Sequence, residues 1–239
     1  IRDRSISHGA GFYMDYSSDD MTAALTINGN VSNSGTLSLS GSAGGDLVLK
    51  GDFAQNGTFN HNSRLVTLSG SSDQAISTTG SSVGFGFLTI NNASNDIDPA
   101  DDITVANDFT ITAGELDLST HTATVTGTTV VNGTLTVSSG TFDANGTFDA
   151  TGGNVTFSGA GRLELGGTVT SLGTFTGGGS STVSYNGAST QIIDDFSAKS
   201  GPYDNLDLDG GGQKDLSGNT TVDGVLLSLI HISEPTRRL

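Results

Sequence analysis

Apolar residues in this chain come in runs of three or four positions, alternating with Thr, Ser, Asp or Asn and closed by Gly, Asn or Asp. Thr36-Leu37-Ser38-Leu39, Asp46-Leu47-Val48-Leu49, Glu115-Leu116-Asp117-Leu118 and Thr134-Leu135-Thr136-Val137 show the pattern. A period of two places one side of each run inward and the other in water, the signature of a half-buried strand. The alternation predicts short strands near 24–27, 36–39, 46–49, 57–59, 65–68, 87–90, 103–105, 109–111, 115–118 and 124–126. It predicts more near 129–131, 134–137, 141–143, 147–149, 154–157, 162–165, 168–170, 173–175, 182–185, 191–193, 205–208 and 220–222.

Spacing decides how such strands assemble. Between Phe109 and Phe175 the apolar anchors Leu116, Val125, Val130, Leu135, Phe142, Phe148, Val155, Leu163 and Val169 fall five to nine residues apart. Thr141-Phe142-Asp143-Ala144-Asn145-Gly146 is echoed at once by Thr147-Phe148-Asp149-Ala150-Thr151-Gly152. A hairpin meander commonly uses strands of about five to six residues plus a turn. Three-residue strands with one- or two-residue corners fit a solenoid whose coil has about three faces. The expected fold is all-β, a single-stranded right-handed parallel β-helix with Gly, Asn and Asp at its corners. Gly supplies positive φ there freely, and Asn or Asp tolerate it.

A longer repeat lies over this rhythm. Gly57-Thr58-Phe59, Val66-Thr67-Leu68 and Asp73-Gln74-Ala75-Ile76 recur as Gly173-Thr174-Phe175, Val183-Ser184-Tyr185 and Thr190-Gln191-Ile192-Ile193, about 117 residues on. Residues of about 51–110 and 167–226 are thus equivalent. Six coils of about 19–20 residues would make one copy, and residues 5–226 roughly eleven coils, about 50 Å long. The segments 71–86 and 188–203 read as matching lateral loops on similar faces. Asp73, Gln74, Thr190 and Gln191 are therefore the binding-loop candidates. Gly80–Gly86 and Ser197–Gly201 depart from the coil rhythm.

Composition narrows the possible roles. The chain has 239 residues with 25 acids against nine bases, a net charge of -16, 35 glycines and no cysteine. Such a field repels nucleic acid and anionic lipid, so neither is an expected partner, and no apolar run is long enough to insert in a bilayer. Asp96, Asp98, Asp101 and Asp102 cluster before Ile103, and Asp204, Asp207, Asp209 and Asp215 gather near the later copy. Closely spaced oxygen ligands suit calcium, so these are the metal candidates; no other cofactor is indicated. The clusters lack the fixed Asp/Gly spacing of known calcium loops.

No catalytic constellation stands out. Asp143 and Asp149, one hexad apart, fall on successive faces of a coil. Lys50, Arg64, Arg162, Lys199 and Lys214 are widely separated, and His8, His61 and His121 make no metal-ligand spacing. The glycine runs at 177–179 and 210–212 lack the Gly-Lys-Ser/Thr step of a phosphate loop.

Phe87-Leu88-Thr89-Ile90-Asn91-Asn92, the Gly-Thr-Leu-Thr-Val at 133–137, Gly114-Glu115-Leu116-Asp117-Leu118-Ser119 and Gly153-Asn154-Val155-Thr156-Phe157-Ser158-Gly159 resemble the β-strand-repeat proteins of environmental bacteria. These are large secreted or cell-surface proteins, similar to haemagglutinin-like and autotransporter-passenger-like solenoids. The resemblance implies export, an extracellular or cell-surface location and a structural or adhesive role toward glycans, extracellular matrix or other surface proteins. The alternative is a polysaccharide-binding or polysaccharide-degrading β-helix module. Residues 1–4 and 227–239 break the pattern and resemble translated sequencing-adapter sequence, which leaves 5–226 as a segment of a longer protein.

Overall fold

The computed structural model describes residues 4–14, 20–195 and 201–228. The expected adapter-like ends lie outside these residues except for Arg4, Leu227 and Ser228, which belong to strands. Among the described residues there is no helix, and all strands pair in parallel in a β-solenoid of about ten turns. At a ladder spacing of about 4.8 Å the stack is about 50 Å long.

Each coil presents three faces. The first carries Leu25–Ile27, Leu47–Leu49, Leu65–Leu68, the start of Phe87–Pro99, the start of Phe109–Asp117, Thr129–Val131, Phe148–Asp149 and Val169–Ser171. Gln191–Ile193 and Lys214–Leu216 continue it, tied on where Leu172 N–H donates to Asp194 Oδ2 at 2.7 Å. The second face carries Arg4–Ile6, Val31–Asn33, Phe53–Gln55, Gln74–Ser77, the ends of the two long strands, Thr134–Thr136, Asn154–Thr156 and Thr174–Thr176. The third begins with Gly11–Tyr13, Thr36–Ser38 and Thr58–Asn60. It resumes as a separate ladder of eight strands, from Ser82–Phe85 through Thr141–Ala144 to Leu226–Ser228.

Register aligns like with like. Ile27, Leu49, Leu68, Ile90, Ile111 and Val131 form one interior file of the first face. Val83, Ile103, Ala123, Phe142, Leu163, Val183 and Leu206 form another on the third. Large and small residues alternate where space demands it: Phe142 fills the room left by Ala123 in the coil before it, its ring centroid 5.9 Å from that of Phe109 and 6.3 Å from that of Phe148. Interior side chains are at most a few per cent exposed, so each large one contributes about 1.5–3 kcal/mol of burial.

Corners are held by two devices. At Gly114 φ is +86°, and a Cβ there would strike the Asn92 carbonyl oxygen of the coil before, so only glycine fits. Elsewhere a carboxylate accepts an N–H at or beside the start of a strand one coil later. Asp46 takes Leu65 N–H at 3.0 Å, Asp52 takes Ala75 N–H at 2.9 Å, and Asp102 and Asp108 take Thr122 and Thr128 N–H, both at 2.8 Å. Much of the acidic composition therefore serves coil stacking.

The long repeat does not return to the same face. Leu65–Leu68 lies on the first face, whereas its sequence match Thr182–Tyr185 lies on the third. From Leu65 the first face reaches Val169 after five turns, through 87, 109, 129 and 148, and two further faces complete the step to Thr182. The repeat is thus five and two-thirds turns, and the expectation of matched loops on similar faces is corrected. The conserved building block within this chain is a strand plus a corner, one third of a coil. The expected loop at 71–86 is itself built of strands, Gln74–Ser77 and Ser82–Phe85, and 188–203 contains Gln191–Ile193, with 196–200 outside the described residues.

Candidate functional site

The two glutamines expected to project from loops are buried, Gln74 at 2% exposure and Gln191 at 1%. Gln74 Oε1 accepts Gly70 N–H at 2.8 Å, and its Nε2 donates to Gly51 O at 2.6 Å. Gln191 Oε1 accepts Gly187 N–H at 2.9 Å, and its Nε2 donates to Leu165 O at 2.7 Å and Gly167 O at 2.6 Å. One amide thus closes its own corner and grips the coil before it. Burial and saturation remove both from any surface contact; their neighbours Asp73 and Thr190 are exposed.

The aspartate candidates are distributed over different faces. Asp96 and Asp98 point outward from one strand of the second face, with Asp96 opposite Glu115. Asp101 Oδ2 accepts Thr78 N–H at 2.8 Å, and Asp102 accepts Thr122 N–H while lying 3.9 Å from His121 Nδ1. Asp204 accepts the Ser181 hydroxyl at 2.8 Å, Asp209 accepts Gly210 N–H at 2.6 Å, and Asp207 is paired with Arg162 Nη2 at 2.7 Å. Arg162 also holds Glu164 at 2.6 Å, and so joins two carboxylates two coils apart. Among the described residues no three carboxylate or imidazole groups converge on one point. Asp143 and Asp149 lie on the third and first faces, and Asp143 is opposite Glu164 rather than near Asp149.

The second face nevertheless concentrates charge. Burial raises the pKa of Asp98 above the ordinary carboxylate value, and Asp96, Asp117 and Asp73 add to the shift. A folded pKa above the unfolded one means that the fold favours the protonated form. This contribution is fully present below the unfolded pKa and is lost as pH rises through the folded value. Asp98→Asn is therefore expected to raise Tm at pH 7 and to leave it unchanged near pH about 3; an equal gain at both would assign the effect to packing. Beside this patch a groove of about 510 Å³ follows the corner between first and second faces, lined by Asp96, Glu115, Asn132, Thr134 and Asn154.

A second cleft, of about 540 Å³, opens where the third-face ladder is interrupted. Thr58–Asn60 pairs only with Thr36–Ser38, and Ser82–Phe85 only with Asp102–Val105, so two strand edges face each other unpaired. Their placement within the coil explains the break. Thr58 follows the second-face strand after two residues, Ser82 after four, and only Gly86 separates Phe85 from the next first-face strand. Asn56, Phe59 and His61 form one lip, and Thr79, Ser82 and Val83 the other. Phe59 is half-buried, its ring in T-shaped contact with Phe53 at 5.4 Å and with Phe85 at 6.2 Å between centroids. His61 Nδ1 accepts Ser63 N–H at 3.1 Å, and burial lowers the His61 pKa. Sequence reasoning did not single out these residues; the irregular Gly80–Gly86 stretch was the signal for them. Comparison with protein-family models, curated proteins and solved structures finds no match to this chain.

Proposed function

We propose that this chain is a structural and adhesive segment of a larger bacterial surface or secreted protein, a stiff spacer whose lateral clefts contact glycans or other surface components. The observation that carries the reading is the continuous interior file combined with corner locks at successive coils. Backbone ladders join each coil only to its neighbours, so length grows by adding coils while width stays constant, the property a stalk requires. The high negative charge keeps such rods apart in solution.

Beads carrying the purified chain are expected to be retained on glycan- or matrix-coated surfaces above beads carrying a disordered chain of equal charge. Equal retention on every surface overturns the adhesive part. Small-angle scattering is expected to give an elongated particle; the profile of a compact globule of 24.2 kDa overturns the spacer part.

A further inference from the structure

We infer that the cleft between Asn56–His61 and Thr78–Gly84 binds an uncharged saccharide chain, with the Phe59 ring as the platform beneath a sugar face. The inference rests on the adhesive reading and gives it a site and a ligand class.

Three observations lead there. First, the platform is preorganised. Phe59 is held by the buried rings of Phe53 and Phe85, remains partly exposed and lines the cleft. A fixed aromatic surface loses little entropy on binding and suits the apolar C–H face of a sugar ring. Second, the rim offers neutral hydrogen-bonding groups. Asn56, Thr79 and Ser82 are exposed there, and the two unpaired strand edges add backbone N–H and C=O groups. No Asp, Glu, Lys or Arg lines the cleft, although the chain carries 34 such residues. His61 remains uncharged at neutral pH because burial lowers its pKa. A ligand without charge meets no unpaired ion, whereas an anionic one enters a negative field without a cation to receive it.

Third, the geometry disfavours the other occupant that free strand edges suggest. An inserted peptide strand needs the lips about 9.6 Å apart, twice the ladder spacing. The same two coils are in register on their other two faces, through Phe87–Ile90 with Leu65–Leu68 and Ile76–Ser77 with Phe53–Ala54. They cannot separate to that extent without breaking both ladders. A saccharide lying across the step needs no such opening, and about 540 Å³ falls in the usual range for small-ligand sites.

The test is an NMR titration of the isotopically labelled chain with cellohexaose, mannohexaose and chitohexaose, with hexagalacturonate as the anionic probe and an extended hexapeptide as the strand probe. At least one neutral hexasaccharide is expected to shift the amides of residues 56–61 and 78–84 saturably, about tenfold more tightly than hexagalacturonate. Phe59→Ala is expected to weaken that binding about tenfold or more. Because Phe59 also supports the interior, Gly80→Tyr provides the second variant. A Cβ on Gly80 meets only Thr78 Oγ1 at 3.4 Å and its φ is ordinary, so the new ring occupies the cleft with the coil intact. Gly80→Tyr is expected to abolish binding with Tm unchanged. Amide shifts elsewhere, binding unaffected by Gly80→Tyr, or preference for hexagalacturonate or the hexapeptide overturns the inference. If no hexasaccharide binds while the beads still adhere, the cleft assignment falls and the adhesive reading stands. If saccharide fills the cleft but the beads do not adhere, the site stands and the adhesive reading falls.

Discussion

Gln191→Ala and Gln74→Ala are each expected to destabilise their own part of the stack by about 3 kcal/mol. Removing the Gln191 amide strands Gly187 N–H and the Gly167 carbonyl in a corner that is nearly closed to water, and leaves the Leu165 carbonyl with Asn186 N–H alone. Gln74 loses Gly70 and Gly51 in the same way, together with a 3.2 Å contact from Asn92 Nδ2. An unmade buried hydrogen bond costs more than a made one contributes, because the orphaned group has left water without compensation. Backbone ladders run only between neighbouring coils, so the loss is local. Hydrogen exchange should accelerate around residues 163–193 in the first variant and 47–77 in the second, each leaving the other region protected. Gln191→Glu adds a pH test. Its carboxylate faces two carbonyl oxygens, so its folded pKa rises, and the variant is expected to be less unstable at acid pH than at pH 7. Unchanged exchange in both alanine variants would show that these amides are surface groups after all.

These two glutamines also mark the limit of what alternation reveals. Where both inward positions are apolar, as in Asp46-Leu47-Val48-Leu49 or Arg162-Leu163-Glu164-Leu165, the strand is plain in the sequence. Val31–Asn33, Phe53–Gln55 and Gln74–Ser77 were missed because one inward position in each is polar. The structure accommodates them by pairing amides inside the wall: Asn33 Nδ2 donates to Gln55 Oε1 at 2.8 Å, and Gln74 closes its corner. An inward amide satisfied by another coil looks the same in sequence as an amide in a surface turn. Asp96 and Asp98 mislead in the opposite sense. They resemble an acidic loop, yet they flank inward Ile97 on a strand. Conversely, the strand expected at 220–222 is reduced to a bridge between Tyr203 and Val222.

The face-to-face assignment of the long repeat was not legible for a related reason. Every strand-plus-corner unit obeys the same local chemistry, so a duplicated block can land on any face whose neighbours fit. Coil length varies between about 19 and 27 residues, from Leu47 opposite Val66 to Arg4 opposite Val31. A 117-residue offset therefore does not fix an integer number of turns. The cleft beneath Phe59 depends on the same variable. Its aromatic residue is visible in the sequence within the repeated Gly57-Thr58-Phe59, but its partial exposure comes from how far around the coil Thr58 and Ser82 begin.

Phe142→Ala is expected to cost about 3–5 kcal/mol and to divide the rod into two cooperative blocks. Phe142 is fully buried in the middle of the third face, between the small Ala123 and Leu163 in its file. Truncation leaves a cavity bordered by Phe109 and Phe148, and the small Ala123 cannot close it. In a globular domain such a loss is shared by the whole cooperative unit and lowers a single transition. In a stack whose backbone ladders join only neighbouring coils, it weakens two adjacent interfaces and lets each half melt on its own. Calorimetry should therefore resolve two transitions in place of one. Exchange should accelerate through residues 122–165 while 25–68 and 182–208 remain protected. Phe12→Ala is the matched control at the end of the stack, where the ring is partly buried under Arg4, 5.1 Å from its centroid. Its smaller loss should fray the first coil and leave one transition for the rest. A single, uniformly lowered transition in Phe142→Ala, with exchange faster everywhere, would mean that cooperativity spans the whole rod and that the nearest-neighbour account of its stability is wrong.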